Sequence, residues 1–183
     1  MKIPQALDPV LSTREALDEA ILDTKEVAGE TTLIVNPADL VRVARFVRDT
    51  SGLVYNYLSD ISAVDYYPEV TRGPQGEGRF GVSYHLYSML YNRRIRLKVY
   101  LPEDDPAVST VTVLWKSANW LEREIFDMMG IRFDGHPDLR RLLMAPDWDG
   151  HPHRRDYPLG YETIMFSFNK DEINQHKPYA KKD

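Results

Sequence analysis

The stretch FGVSYHLYSMLYNRRIRLKVYL, residues 80–101, decides the fold. Phe80, Val82, Tyr84 and Leu86 alternate with Gly81, Ser83, His85 and Tyr87. Beyond a turn around Tyr91 and Asn92, Ile95, Leu97, Val99 and Leu101 alternate with Arg94, Arg96 and Lys98. A period of two sends successive side chains to opposite faces of a strand. The stretch therefore predicts an antiparallel hairpin with one apolar face and one polar, locally basic face.

Upstream of the hairpin, YYPEVTRGPQGEGR (66–79) is rich in Gly and Pro and is expected to be a mobile loop. LVYNYLSDISAVD (53–65) predicts one bent strand or two short ones. TTLIV (31–35) predicts a strand that runs into Asn36-Pro37, a cap residue with proline at the first helical position. Leu40, Val41, Ala44 and Val47 then predict a helix stopping near Gly52. Ser12 with Glu15 fits a capping box, and Leu17, Ala20, Ile21 and Val27 recur at roughly helical spacing, so a first helix is expected over 13–27.

Downstream, VSTVTVLW suggests a short strand, and Ser117 is placed to cap a helix, ANWLEREIFDMMG, ending at Gly130. On a wheel of about 100° per residue, Trp120, Leu121, Ile125, Met128 and Met129 share one arc, with Glu124 inside it. Arg123 and Asp127 fall on the opposite sector as a solvent pair. A carboxylate among apolar neighbours needs cationic or hydrogen-bonding partners. Glu124, or Glu122, is accordingly expected to hold an arginine from farther along the chain, and Glu124→Ala to cost a few kcal/mol. Beyond Gly130, prolines at 137, 146, 152 and 158 leave turns and extended pieces. The expected layout is one α+β domain over 1–158, with an irregular docking segment at 131–158, and an extended tail over 159–183.

Apolar residues make up 43% of the 183 and charged residues 28%, with a net charge of -5, so no global attraction to nucleic acid or anionic membrane exists. No apolar run approaches the roughly 20 residues of a membrane span. The amino end lacks the pattern of a secretory signal, which favours a cytosolic location. With no cysteine in the chain, thiolate metal sites, disulfides, a thiol nucleophile and cysteine-held iron-sulfur clusters are excluded. Neither a serine elbow nor a phosphate-cradling loop with its lysine is present.

The segment DGHPDLRRLLMAPDWDGHPHRRD (134–156) repeats Asp-Gly-His-Pro, each copy followed by two arginines. His136, His151, His153 and Asp156 could ligate a metal in a hydrolase. Against this, His136 and His151 each precede a proline in irregular chain, and four nearby arginines oppose a divalent cation. The basic strand face with His85 and Tyr87 could hold a nucleic acid, or be a solvated face. The reading favoured by the residues is an irregular segment anchored by charge.

WLEREIFDMMGIRFDGHPDLRRLL followed by DWDGHPHRRDYPLGYE closely resembles the 30 kDa subunit family, also called the C subunit family, of the proton-translocating NADH:quinone oxidoreductase, respiratory complex I. The likeness is dense over 113–160 and looser over 31–112, with departures at His153 and Arg155, where leucine and lysine are usual. The ending FSFNKDEINQHKPYAKKD looks like bacterial members, rather than the ferredoxin-linked or hydrogenase-type relatives. The resemblance implies a two-layer α+β fold, with helices on a mixed, partly antiparallel sheet. It also implies a peripheral component on the cytoplasmic side of the membrane, in the hydrophilic arm of the complex. Such a component has no cofactor of its own, while FMN and iron-sulfur clusters sit in other subunits, and it packs on the D subunit with the B and I subunits nearby. Structural or partner-docking roles are expected for Glu122, Arg123, Glu124, Asp127, His136, Arg140, Arg141, His151, Arg154, Arg155, Asp156 and Tyr157.

Overall fold

The computed structural model describes residues 4–68, 71–73 and 76–157, so the expected tail over 159–183 lies outside the described residues. Strands β6 (Phe80–Ser88) and β7 (Arg93–Leu101) form the expected hairpin, with Tyr84 opposite Leu97 and Ser88 opposite Arg93. Along both strands the apolar alternate positions are buried. The hairpin is the centre of a five-stranded sheet.

Strand β1 (Ile21–Val27) pairs antiparallel with β2 (Glu30–Val35), and β2 runs parallel to β7. Strand β3 (Tyr57–Asp65) pairs antiparallel with β6, giving the order β1-β2-β7-β6-β3. The sheet is therefore mixed, as the resemblance implies. One bent strand over the 53–65 stretch agrees with the observed shift of register between Leu58 and Asp60, a bulge that bends β3.

Helix α1 spans Pro9–Leu17, not 13–27. Its cap is Asp8, whose carboxylate accepts the N–H groups of Val10 and Leu11, both at 2.9 Å. Residues 21–27 are strand because Ala28 and Gly29, at φ 53° and 77°, close a two-residue hairpin onto β2. Asn-Gly would announce such a turn, whereas Ala-Gly does not, and the helical spacing of Ile21 and Val27 was accidental. Helix α2 (Leu40–Asp49) follows the Asn36-Pro37 cap through a short 3-10 turn, and buries Leu40, Val43, Ala44 and Val47.

Helix α3 (Ala118–Met129) ends at Gly130 as expected, but Ser117 makes no capping hydrogen bond. Strands β8 (Ala107–Ser109) and β9 (Arg132–Asp134) pair in parallel on either side of it in sequence, so the chain after Gly130 begins with a strand rather than irregular backbone. Within the expected loop over 66–79, β4 (Thr71–Gly73) pairs with β5 (Gly76–Gly78). The apolar face of the sheet, the buried sides of α2 and α3 and the β8–β9 pair form one core cluster, with α3 packed beside β3. No helix among the described residues is long and apolar enough to cross a membrane.

Candidate functional site

The last turn of a helix leaves carbonyls without intrahelical partners. At α3 the Gly130 N–H returns to the Phe126 carbonyl at 2.9 Å, with φ of 72° at the glycine. The remaining three carbonyls are taken by the Asp-Gly-His-Pro segment. His151 Nδ1 donates to the Asp127 carbonyl at 2.9 Å, the His153 N–H to Met128 at 2.9 Å, and Arg154 Nε to Met129 at 2.7 Å. Basic groups there also complement the negative end of the helix dipole. Burial lowers the pKa of His151, against the bond to the Asp127 carbonyl and together with Arg154 and Arg141.

Asp127 is fully buried, and its Oδ2 accepts three successive backbone N–H groups, from Leu142 (2.9 Å), Leu143 (2.7 Å) and Met144 (2.8 Å). Such a nest of amides is an anion site built from main chain. Oδ1 meets Arg141 Nη1 at 2.7 Å, and Arg141 Nη2 reaches on to the Trp148 and Gly150 carbonyls at 2.9 and 3.0 Å. Burial works to raise the pKa of this carboxyl, but the Met144 N–H, Arg141 and the other two amides outweigh it and hold it below the usual range. One turn earlier, Arg123 donates to the Arg140 and Arg141 carbonyls at 3.2 and 3.3 Å while lying 5.0 Å from the centre of the Trp120 ring.

A second anchor lies at the entrance to β6. Arg79 is buried, and its guanidinium grips Asp65 through two bonds of 3.0 and 2.8 Å, Glu103 at 2.8 Å and Asp156 at 2.6 Å. Asp65 also accepts the Tyr67 and Arg155 N–H groups, both at 2.9 Å. Burial opposes ionisation of Asp65, yet the bonds from Arg79 and the two amides bring its pKa down to about 2. The end of the Asp-Gly-His-Pro segment is thus pinned to the end of β3.

The third buried carboxylate behaves differently. Glu122 accepts the Thr110 hydroxyl and the Val111 N–H, the latter at 2.8 Å, and no guanidinium meets it among the described residues. Burial pushes it up to about 7 despite those two bonds. His136 Nε2 lies 3.9 Å from it and hydrogen bonds to the Asn119 carbonyl at 3.2 Å, while Nδ1 accepts the Asp138 N–H at 3.0 Å.

Several expectations need correction. Glu124 is exposed, so it is not the buried carboxylate, and no arginine reaches it or Glu122 among the described residues. Arg123 and Asp127, expected in solvent, are buried, and Trp120, placed in the apolar arc, is 60% exposed. The anchoring arginine from the segment is Arg141, and its partner is Asp127. Arg140 pairs with Asp138 at the surface, Arg155 donates to the Tyr67 carbonyl at 3.1 Å, and the Tyr157 hydroxyl to Asp149 at 3.4 Å.

The four residues offered as metal ligands do not converge. His136 is tied to Asn119 and His151 to Asp127, eight residues along α3 and so about 12 Å apart. Among the described residues no group of three His, Asp or Glu could hold a metal. The basic strand face is largely paired internally, with Arg96 on Glu30 at 2.7 Å and Lys98 on the Tyr66 hydroxyl at 2.6 Å. Arg79 and Asp65 escaped notice. Asp65 continues the Ile61–Ala63 alternation onto the buried face, and Arg79 opens an apolar strand, which are the signals that could have found them.

The model of the family described as respiratory-chain NADH dehydrogenase, 30 Kd subunit, matches residues 33–163. The C subunit of NADH-quinone oxidoreductase from Roseiflexus sp. (strain RS-1) is 48% identical over 168 residues, 92% of each chain. That of Geobacter metallireducens is 47% identical over 150 residues, 82% of this chain and 88% of the relative. A solved structure described as Nqo5 of the trypsin-resistant fragment (1-134) in P63 form is 31% identical, with a TM-score of 0.58, covering 72% of this chain and all of that one. A chain of an archaeal membrane-bound sulfane sulfur reductase, at 22% identity and a TM-score of 0.65 over 90% of this chain and 89% of its own, shares the fold. With the family pattern spanning β3, the central hairpin, α3 and the anchored segment alike, this chain belongs to the 30 kDa subunit family of respiratory-chain NADH dehydrogenase.

Proposed function

We infer that this chain is a component of the hydrophilic arm of NADH-quinone oxidoreductase whose task is assembly. It holds no cofactor of its own, and it supports electron transfer from NADH to quinone, coupled to proton translocation, by holding its neighbours in place. The D subunit is its principal partner, with the B and I subunits nearby, and the arm carries it on the cytoplasmic side of the membrane. One observation carries this reading. Residues 135–157 have almost no ladder of their own, yet Asp127, Asp65 and the end of α3 fix their backbone at named atoms, and Arg79 holds the Asp156 carboxylate. A surface ordered before binding spares a partner the entropy of ordering it. The outward side chains of that surface, Arg155 and Asp156 among them, and its anchors Glu122, Arg123, Asp127, His136, Arg141, His151 and Arg154 are assigned to docking and to its support.

Replacing Arg154 or Arg155 by alanine in the native complex is expected to lower the quantity of assembled enzyme more than the NADH:quinone turnover of what remains. Unchanged assembly with lost turnover would overturn the assignment in favour of a direct role in the reaction.

A further inference from the structure

Helix α3 and strand β3 leave a groove of about 210 Å³ between them. Its apolar lining comes from Ile61 and Ala63 of the strand and Ile125, Met128 and Met129 of the helix, beside Ser62 and the exposed His153. Four consecutive strand residues, Asp60 to Ala63, line it, so the groove opens onto the edge of β3 rather than one of its faces. That edge lies outermost in the sheet, and β6 is the only strand paired with β3 among the described residues. An edge strand offers backbone N–H and C=O groups to another extended chain.

Each wall of the groove carries one carboxylate, Asp60 from the strand and Glu124 from the helix. Neither has an ion-pair partner among the described residues. One turn before Glu124 on the helix, Trp120 is 60% exposed, the residue type that most often anchors a protein interface. Two carboxylates without ion-pair partners, Glu124 on the helix side and Asp60 on the strand side, beside a free strand edge and an apolar strip call for a specific chemistry: extended backbone, an apolar side chain and cations.

We propose that this groove receives an extended segment of a neighbouring subunit, which pairs with the edge of β3, seats an apolar side chain over Met128 and Met129, and brings lysine or arginine side chains against Glu124 on one side and Asp60 on the other. The proposal rests on the assembly reading above. Strand addition supplies affinity through main-chain bonds and specificity through the alternate side chains. Those cations would pair with the two carboxylates, which chiefly selects the partner and its register.

The chain has no cysteine, so Met129→Cys puts a single addressable thiol into the groove and leaves both carboxylates in place. Labelling of that thiol with a maleimide is expected to be severalfold slower in the assembled complex than in the isolated chain. A benzophenone maleimide attached there before assembly is expected to cross-link to a lysine- or arginine-bearing stretch of another subunit. Glu124→Lys and Asp60→Lys are each expected to reduce assembly severalfold, with Glu124→Gln falling between wild type and the reversal. Thermal melting of the isolated Glu124→Lys chain is the folding control and is expected to match wild type. Equal labelling in both states, a cross-link to residues 158–183 of the same chain, or full assembly of Glu124→Lys would each overturn the proposal. If those results came with a chain that still assembled, the assembly reading would stand; a chain that never entered the complex would sink both.

Discussion

Glu122 is the residue at which burial wins over hydrogen bonding. Two donors are too few to keep a fully buried carboxylate ionised near its ordinary 4.5, and its pKa rises to about 7. Around it stand Thr110 and the Val111 amide from the chain after β8, His136 from the segment, and Tyr84 from β6, whose hydroxyl is buried without a hydrogen-bond partner among the described residues. Between 4.5 and about 7 the folded chain keeps a proton that the unfolded chain has released. Stability from this group is therefore complete below about 4.5 and is lost as pH rises through about 7, by about 3 kcal/mol in all. Glu122→Gln keeps an acceptor for the Val111 amide and removes the titration. Urea midpoints measured from pH 5 to pH 8 are expected to fall less steeply in that variant than in wild type, and parallel profiles would refute the assignment. Exposed Glu124, by contrast, is now expected to tolerate alanine with little change in melting temperature, against the loss its place on the helical wheel suggested.

At the scale of the element, α3 is held by its end. Gly130 adopts a φ of 72°, and a Cβ there would lie 2.5 Å from the His151 ring and 2.6 Å from Arg154 Nη2. Gly130→Ala therefore costs about 1 kcal/mol or more for the left-handed backbone, besides pushing away the two residues that close the helix. Limited proteolysis is expected to cut within 135–157 sooner in this variant, with the melting temperature lowered. An unchanged cleavage rate would show that the segment does not depend on the cap. The cap itself was legible, since glycine after an amphipathic run marks a helix end. That the next three carbonyls are closed by residues more than 20 positions on was not, because no local pattern encodes which distant donors arrive.

For the molecule as a whole, Arg79 is the tie between regions far apart in sequence. It binds Asp65 at the end of β3, Glu103 after β7 and Asp156, 77 residues away. Breaking such a buried pair by removing one partner costs about 3–5 kcal/mol, because a charge is left without compensation, whereas an apolar replacement of both costs far less. Arg79→Met alone is expected to show the larger loss in urea unfolding, and Arg79→Met with Asp65→Leu to recover a good part of it. Strict additivity of the two changes would mean that the pair is not coupled. The fold's tolerance of acid follows from the same bond. With Asp65 at about 2, its contribution is present above 3.8 and disappears as pH falls towards 2.

The sequence by itself determined the central hairpin, β2, the Asn-Pro cap of the turn that leads into helix α2, the helix itself, the end of α3 and the family. In strands the period of two leaves one choice of buried face, and in the family motif the residues stand together in the chain. Only the tertiary structure decided which sector of α3 is buried. That helix carries four charged side chains, and local spacing favours packing Trp120 inward and leaving Asp127 in water. Three backbone amides from residues 142–144 and a guanidinium from Arg141 reverse the choice, since together they more than offset the cost of burying Asp127. Those partners arrive from 14 to 17 residues away, through a turn that no helical period can foresee.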